Sequence, residues 1–320
     1  MKGLTDIPGI LVGHASDYDG LTGCTVILCE AGAVAGGDIR GSATGTEEWD
    51  VLNPMHVTPQ IHGVVFSGGS AFGLESASGV RRFLEHKGVG FKFGPAVVPI
   101  VVGAILFDLG FSKPGVRPTR EMAEAAAAAA SEKTVQEGAV GAGTGATVGK
   151  LNGMKNAMKS GIGSFTVTLG GQNAGVMVSA LVAVNAVGDV RDPATGKIIA
   201  GARMSATSRE FADGAALLKA ARPAGSTTRT NTTLVCVATN AALSKVEANK
   251  LAQFGQIGLV RSINPINTMS DGDLVVAMSH GNARAPIDAL GVAAAEAVSE
   301  AIVRAVKFAP TMGGLVGLKG

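Results

Sequence analysis

Apolar and β-branched residues fall in short runs along this chain, each closed by glycine, asparagine, aspartate or serine. The runs "CTVILC" (24–29), "GVVFS" (63–67), "FTVTL" (165–169), "VMVSALVAVN" (176–185), "TLVCVAT" (233–239) and "DLVVAMS" (273–279) predict buried strands. Helical spacing occupies other segments. "GLESASGVRRFLEHK" (73–87) sets Leu74, Ala77, Val80 and Leu84 on one face, and the alanine-rich stretch 119–135 is a strong helix former. "SKVEANKLAQF" (244–254) opens with Ser244 and Glu247 at capping-box spacing, and the segment 286–307 begins with Pro286 where a first-turn proline belongs. Strands and helices do not alternate regularly, which disfavours a doubly wound parallel sheet and predicts an α/β protein of stacked sheets covered by helices.

Composition sharpens this picture. Of 320 residues, 46 are glycine, 46% are hydrophobic and only 16% are charged, so a large core is available and some apolar surface is expected to lie between subunits. The net charge of +2 is dispersed, without the basic stripe that tracks nucleic acid. The start, "MKGLTDIPGI", has no basic region ahead of an apolar run, and the longest apolar stretch, residues 93–111, is broken by prolines, glycines and Asp108. The expectation is a soluble cytoplasmic protein without membrane contact. Cys24, Cys29 and Cys236 have no metal-ligand spacing and read as buried thiols, and no histidine pair has ligand spacing either, so neither metal nor cofactor is expected.

Two glycine-rich stretches imitate known motifs. In "GAGTGATVGK" (141–150) the phosphate-loop pattern fails at Thr144 and again at Leu151. In "SGGSAFG" (67–73) a nucleophile elbow would need glycine where Phe72 stands. What survives there is a tight turn at Gly69 and Ser70 feeding a helix N-terminus, whose N–H groups could hold a substrate carbonyl or carboxylate. Three further stretches concentrate polar groups against strands. "TRTNTT" runs directly into the strand at Leu234; Asp271 and Asp273 flank Gly272 ahead of another; Asn185 ends a third. Each has an ordinary reading as a turn, and paired carboxylates can equally orient a hydroxyl or an ammonium.

Taken together, "VGHASDYDGLTGCTVIL", "GGSAFGLESASGV", "GAGTGATVGK", "ALVAVNAVGDV", "NTTLVCVATN" and "NTMSDGDLVVAMSHG" resemble, in order and spacing, the L-aminopeptidase D-Ala-esterase/amidase family, which includes β-peptidyl aminopeptidases and nylon-oligomer hydrolases. The resemblance runs from about Leu4 to about Phe308. It implies a four-layer αββα sandwich and a single hydrolase domain, residues 1–320, that cuts itself at Asn231–Thr232 into chains 1–231 and 232–320. By the same resemblance Thr232 becomes the N-terminal nucleophile, Asn185 the oxyanion donor, Lys150 a charge beside the nucleophile, and Asp271 and Asp273 the groups orienting it. Threonine stands where the β-aminopeptidase branch has serine, and aspartates replace that branch's Ser and Glu around the central glycine, so its specificity does not transfer. The expected substrates are short peptides or peptide-like amides and esters, and the expected assembly is a tetramer of processed heterodimers. Two alternatives are an acyltransferase of the ornithine acetyltransferase type, whose signature before the threonine is absent here, and an uncleaved relative without catalysis.

Overall fold

The computed structural model describes residues 2–220 and 231–319, so the polar residues Thr228 to Thr230 lie outside the described residues. Its principal strands are β1 (Leu11–Asp17), β2 (Thr22–Ile39), β3 (Ile61–Ser67), β4 (Val101–Ile105), β5 (Ile162–Thr168), β6 (Met177–Asn185), β7 (Thr232–Ala241) and β8 (Leu274–Ala283). Its helices are α1 (Ser76–His86), α2 (Arg120–Ala128), α3 (Gly214–Ala220), α4 (Lys245–Ser262) and α5 (Ile287–Lys307). The hydrogen-bonded order is β5-β6-β7-β8-β2-β3-β4, with β1 also on β2. β2 belongs to both ends of this series. Its first half pairs with β1 and β3 (Leu11↔Leu28, Cys24↔Ser67) and its second with β8 (Ser279↔Val34, Leu274↔Ile39), so one long strand passes from one sheet into the other.

Side-chain alternation then builds three separate cores, because successive residues of a strand face opposite sides of its sheet. On β7, Val235 and Val237 pack beneath α4 and α5, together with Val182 and Val184 of β6 and Val275 and Ala277 of β8. The intervening Leu234, Cys236, Leu274 and Val276 meet Ile27, Val64, Phe66 and Val102 of the other sheet. The outer face of that second sheet, Val26, Leu28, Val65 and Val101, packs under α1 and α2. Helices, sheet, sheet, helices: this is the four-layer αββα sandwich. Each fully buried Val, Leu or Ile contributes about 1.5–3 kcal/mol by leaving water. The doubly covered strands read as continuous apolar runs for the same reason.

The capping box expected at Ser244 is present, with the Ser244 side chain accepting from the Glu247 N–H and the Glu247 carboxylate accepting from the Ser244 N–H. Pro286 caps α5. All three cysteines are free and buried. Among the described residues no helix is long and apolar enough to cross a membrane. The helix expected over residues 119–135 stops at Ala128, because Ser131 exchanges both backbone hydrogen bonds with Val12 of β1 at 3.1 Å.

Candidate active site

Three strand ends converge at one point of the central sheet. Thr232 is the first residue of β7 and sits opposite Asn185, the last of β6, in the antiparallel ladder. On the other side β7 runs parallel to β8, and the ladder extends past both strands so that Asn231 bridges Asp271. The β-branched run from Thr232 holds this geometry, since branched side chains fit a pleated surface covered on both faces. Asn231 and Thr232 are each only 3% exposed.

The Asn231 carbonyl oxygen accepts two hydrogen bonds, from the Thr232 hydroxyl at 2.5 Å and from the Gly272 N–H at 2.9 Å. The hydroxyl therefore lies against the peptide group that precedes it. Gly272 must be glycine here, because a Cβ would stand 2.8 Å from the Thr232 Oγ1 and 2.9 Å from the Ala43 carbonyl oxygen.

Asp271 and Asp273 are wholly buried, so their segment is no solvated turn. Asp273 accepts from the Thr233 N–H at 2.6 Å through Oδ1 and from the Asn267 N–H at 3.0 Å through Oδ2. Asp271 Oδ2 accepts from both the N–H and the hydroxyl of Thr268, at 2.9 and 2.6 Å. Its Oδ1 is buried with no partner. An unpaired buried acceptor costs roughly 1–3 kcal/mol, and such an exception calls for a use. Burial, with the neighbouring Asp271 charge second, pushes the Asp273 carboxyl up to about 7.

Across the ladder, Asn185 is held at both ends of its amide. Its Oδ1 accepts from the Thr147 N–H (3.0 Å), the Thr147 hydroxyl (3.3 Å) and the Lys150 Nζ (2.8 Å), while its Nδ2 donates to the Phe107 carbonyl at 2.9 Å. Lys150 also donates to the Asn185 carbonyl at 2.7 Å. Lys150 is partly exposed as a whole residue, while its ammonium is enclosed. Burial lowers it to about 7, against the upward pull of Asp271, Asp273 and Asp108.

Gly69 and Ser70 lie one contact further out. The Gly69 N–H donates to Asp108 Oδ1 at 2.8 Å and the Ser70 N–H to the Leu106 carbonyl at 3.1 Å, so both are engaged within the fold and bracket Phe107. The Thr22 hydroxyl holds the other Asp108 oxygen at 2.6 Å. Thr147, Asp108 and the Phe107 carbonyl thus join the candidate site, and no sequence motif marks them. Asp108 had left a trace as the one charge inside an apolar run, and Thr147 lies three positions before Lys150. Lys159 was also missed: fully buried, it ties the loop before Thr147 together by donating to the carbonyls of Gly143, Ala146 and Ser160 at 2.5–2.8 Å. Two cavities of about 520 and 580 Å³, one beside His62 and Phe91 and the other beside Arg203 and Phe211, are lined by none of these residues.

The sequence profile of peptidase family S58 matches residues 2–319. An uncharacterized aminopeptidase of Mycobacterium leprae is 36% identical over 350 residues, covering 98% of this chain and 92% of its own. A 6-aminohexanoate-oligomer endohydrolase of Kocuria sp. is 30% identical over 319 residues, covering 94% of this chain and 85% of its own. Among solved structures, a Burkholderia sp. β-aminopeptidase superposes with a TM-score of 0.71 at 25% identity, over 99% of this chain and 90% of its own. The L-aminopeptidase D-Ala-esterase/amidase of Ochrobactrum anthropi, described as a variant of the Ntn-hydrolase fold, gives a TM-score of 0.71 at 18% identity over 100% and 91%, a likeness of fold.

Proposed function

The chain belongs to peptidase family S58 and is a hydrolase; from that premise we propose that it cuts itself at Asn231–Thr232 and then hydrolyses short peptides or peptide-like amides with Thr232 as nucleophile. One observation carries the reading: the Thr232 hydroxyl lies 2.5 Å from the oxygen of the carbonyl it would attack, at a buried strand end opposite Asn185. Attack of Oγ1 on the Asn231 carbonyl carbon gives an ester, which water opens. The product is a large chain ending at Asn231 and a small chain, residues 232–320, beginning with a free α-amine on Thr232.

That amine titrates near ~8 in ordinary surroundings, so at neutral pH it can take the hydroxyl proton during turnover without a histidine. Asp271 and Asp273 are the groups that orient it, and the unpartnered Asp271 Oδ1 gives the new ammonium an acceptor. Asn185 keeps a second Nδ2 proton beyond the one given to Phe107, and that donor is assigned to the oxyanion of turnover. Lys150 fixes the Asn185 amide and adds positive charge beside it. The Gly69–Ser70 turn, its N–H groups engaged, forms a wall of the site.

The names of the relatives, aminopeptidase and 6-aminohexanoate-oligomer endohydrolase, support amide bonds as substrates. We place the enzyme in the cytoplasm and assign it a tetramer of processed heterodimers, consistent with the exposed Phe91, Phe93 and Val98 of a projecting hairpin. Chromogenic amino-acid anilides with free or blocked amines test the function. Purified protein should hydrolyse at least one of them, and Thr232→Ala should reduce the rate to background because a methyl group cannot form the ester. Wild-type turnover by Thr232→Ala would remove Thr232 from the chemistry.

A further inference from the structure

Self-cleavage and turnover pose the same electrostatic problem at different atoms. In each, a hydroxyl adds to a carbonyl carbon and an oxygen acquires negative charge, which a preorganised N–H must meet. In the uncut chain the Asn185 Nδ2 donates one proton to the Phe107 carbonyl and makes no bond to the Asn231 oxygen, which receives the Gly272 N–H at 2.9 Å. The two flanking aspartates are also placed by the backbone. The Asp271 carbonyl accepts from the Ala43 N–H at 2.8 Å, and the Asp273 carbonyl from the N–H groups of Arg40 and Gly41 at 3.1 Å. The Gly272 N–H is therefore flanked on both sides by hydrogen-bonded carbonyls. Glycine at this position lets the backbone come against the nucleophile, where any Cβ would collide with the Thr232 Oγ1.

We propose that the Gly272 backbone N–H is the oxyanion donor of self-cleavage, a catalytic group for processing distinct from the Asn185 amide assigned to turnover. The inference rests on the self-processing reading of Asn231–Thr232. Atoms balance in two steps. The Thr232 Oγ1 forms a bond to the Asn231 carbonyl carbon, whose oxygen takes the electron pair and is held by Gly272; the carbon–nitrogen bond then breaks and the hydroxyl proton ends on the Thr232 nitrogen, giving an ester of unchanged mass. Water next adds to the ester carbon, the carbon–Oγ1 bond breaks, a proton returns to Oγ1, and Asn231 is left as a carboxylate beside the Thr232 ammonium. The group is invisible to side-chain mutagenesis, since every residue but proline has this N–H.

An amide-to-ester exchange isolates it. Full-length chain made by cell-free translation with glycolic acid in place of Gly272 replaces that N–H by oxygen and leaves every side chain intact. The same exchange at Val276, within β8 and paired with Cys236, is the control for losing one backbone donor from this strand. Loss of the precursor band is followed with time, and melting of each precursor is recorded with Thr232→Ala added. The Gly272 ester should cleave about 10²–10³-fold more slowly than the Val276 ester while melting no lower. Equal cleavage rates for the two esters, or a slowing matched by a lower melting temperature of the Gly272 ester, would reduce the bond to an ordinary ladder contact and overturn the inference. Failure of the unmodified chain to cleave would instead overturn the self-processing reading, and the inference with it.

Discussion

At the scale of single residues, the candidate site is a buried cluster in which burial shifts both Asp273 and Lys150. Asp273 keeps its proton to about 7 in the uncut chain, whereas an unfolded aspartate releases it near ~4. Between those values the folded chain binds more protons than the unfolded one, so this group makes stability fall as pH rises through that window, with the full penalty present above about 7. Lys150, lowered to about 7, contributes the opposite slope at higher pH, so the measurement is a difference between two chains that share it. In the uncleavable Thr232→Ala background, adding Asp273→Asn should cost stability at acid pH, because its Nδ2 cannot accept the Thr233 or the Asn267 N–H, and that cost should shrink steadily toward pH ~8, read by denaturant melts; a pH-independent difference would mean that Asp273 is ionised throughout. The proposed self-cleavage would place an ammonium beside this pair and relieve the same penalty. The side chains of this cluster were legible in the sequence as polar residues set against apolar runs. The Gly272 N–H and the Phe107 carbonyl were not, because backbone groups leave no residue-type signature.

At the scale of elements, most strands and helices follow from period and caps, and the departures have tertiary causes. β2 reads as a strand only over 24–29 because its second half, "EAGAVAGGDI", is glycine-rich, yet it continues to Ile39. The glycines serve packing, since a Cβ at Gly36 would fall 2.2 Å from the Asn249 backbone nitrogen of α4. Gly163 of β5 does the same under α5, where a Cβ would lie 1.9 Å from the Ala301 carbonyl oxygen. Gly163→Ala should therefore force α5 off its sheet and destabilise by at least ~1–3 kcal/mol. Gly170→Ala, where a Cβ meets nothing within 4 Å, is the comparison. Equal melting temperatures for the two variants would show that the helix moves without cost.

At the scale of the whole molecule, four layers put the ends of β6, β7 and β8 at the middle of the sandwich, where the Asn231–Thr232 bond, proposed as the one that is cut, is buried. The stacking was legible from irregular strand–helix alternation; the sharing of β2 between sheets was not, since pairing partners are set by long-range contacts. The account stands on one covalent event inside this scaffold. Intact-mass analysis of the purified, denatured wild type, with Thr232→Ala alongside, tests it most directly. The account predicts two chains for the wild type, of 231 and 320 − 231 = 89 residues, the smaller beginning at Thr232, and one uncut chain for the variant. A single 32.0 kDa species in wild-type protein that hydrolyses amides would contradict it.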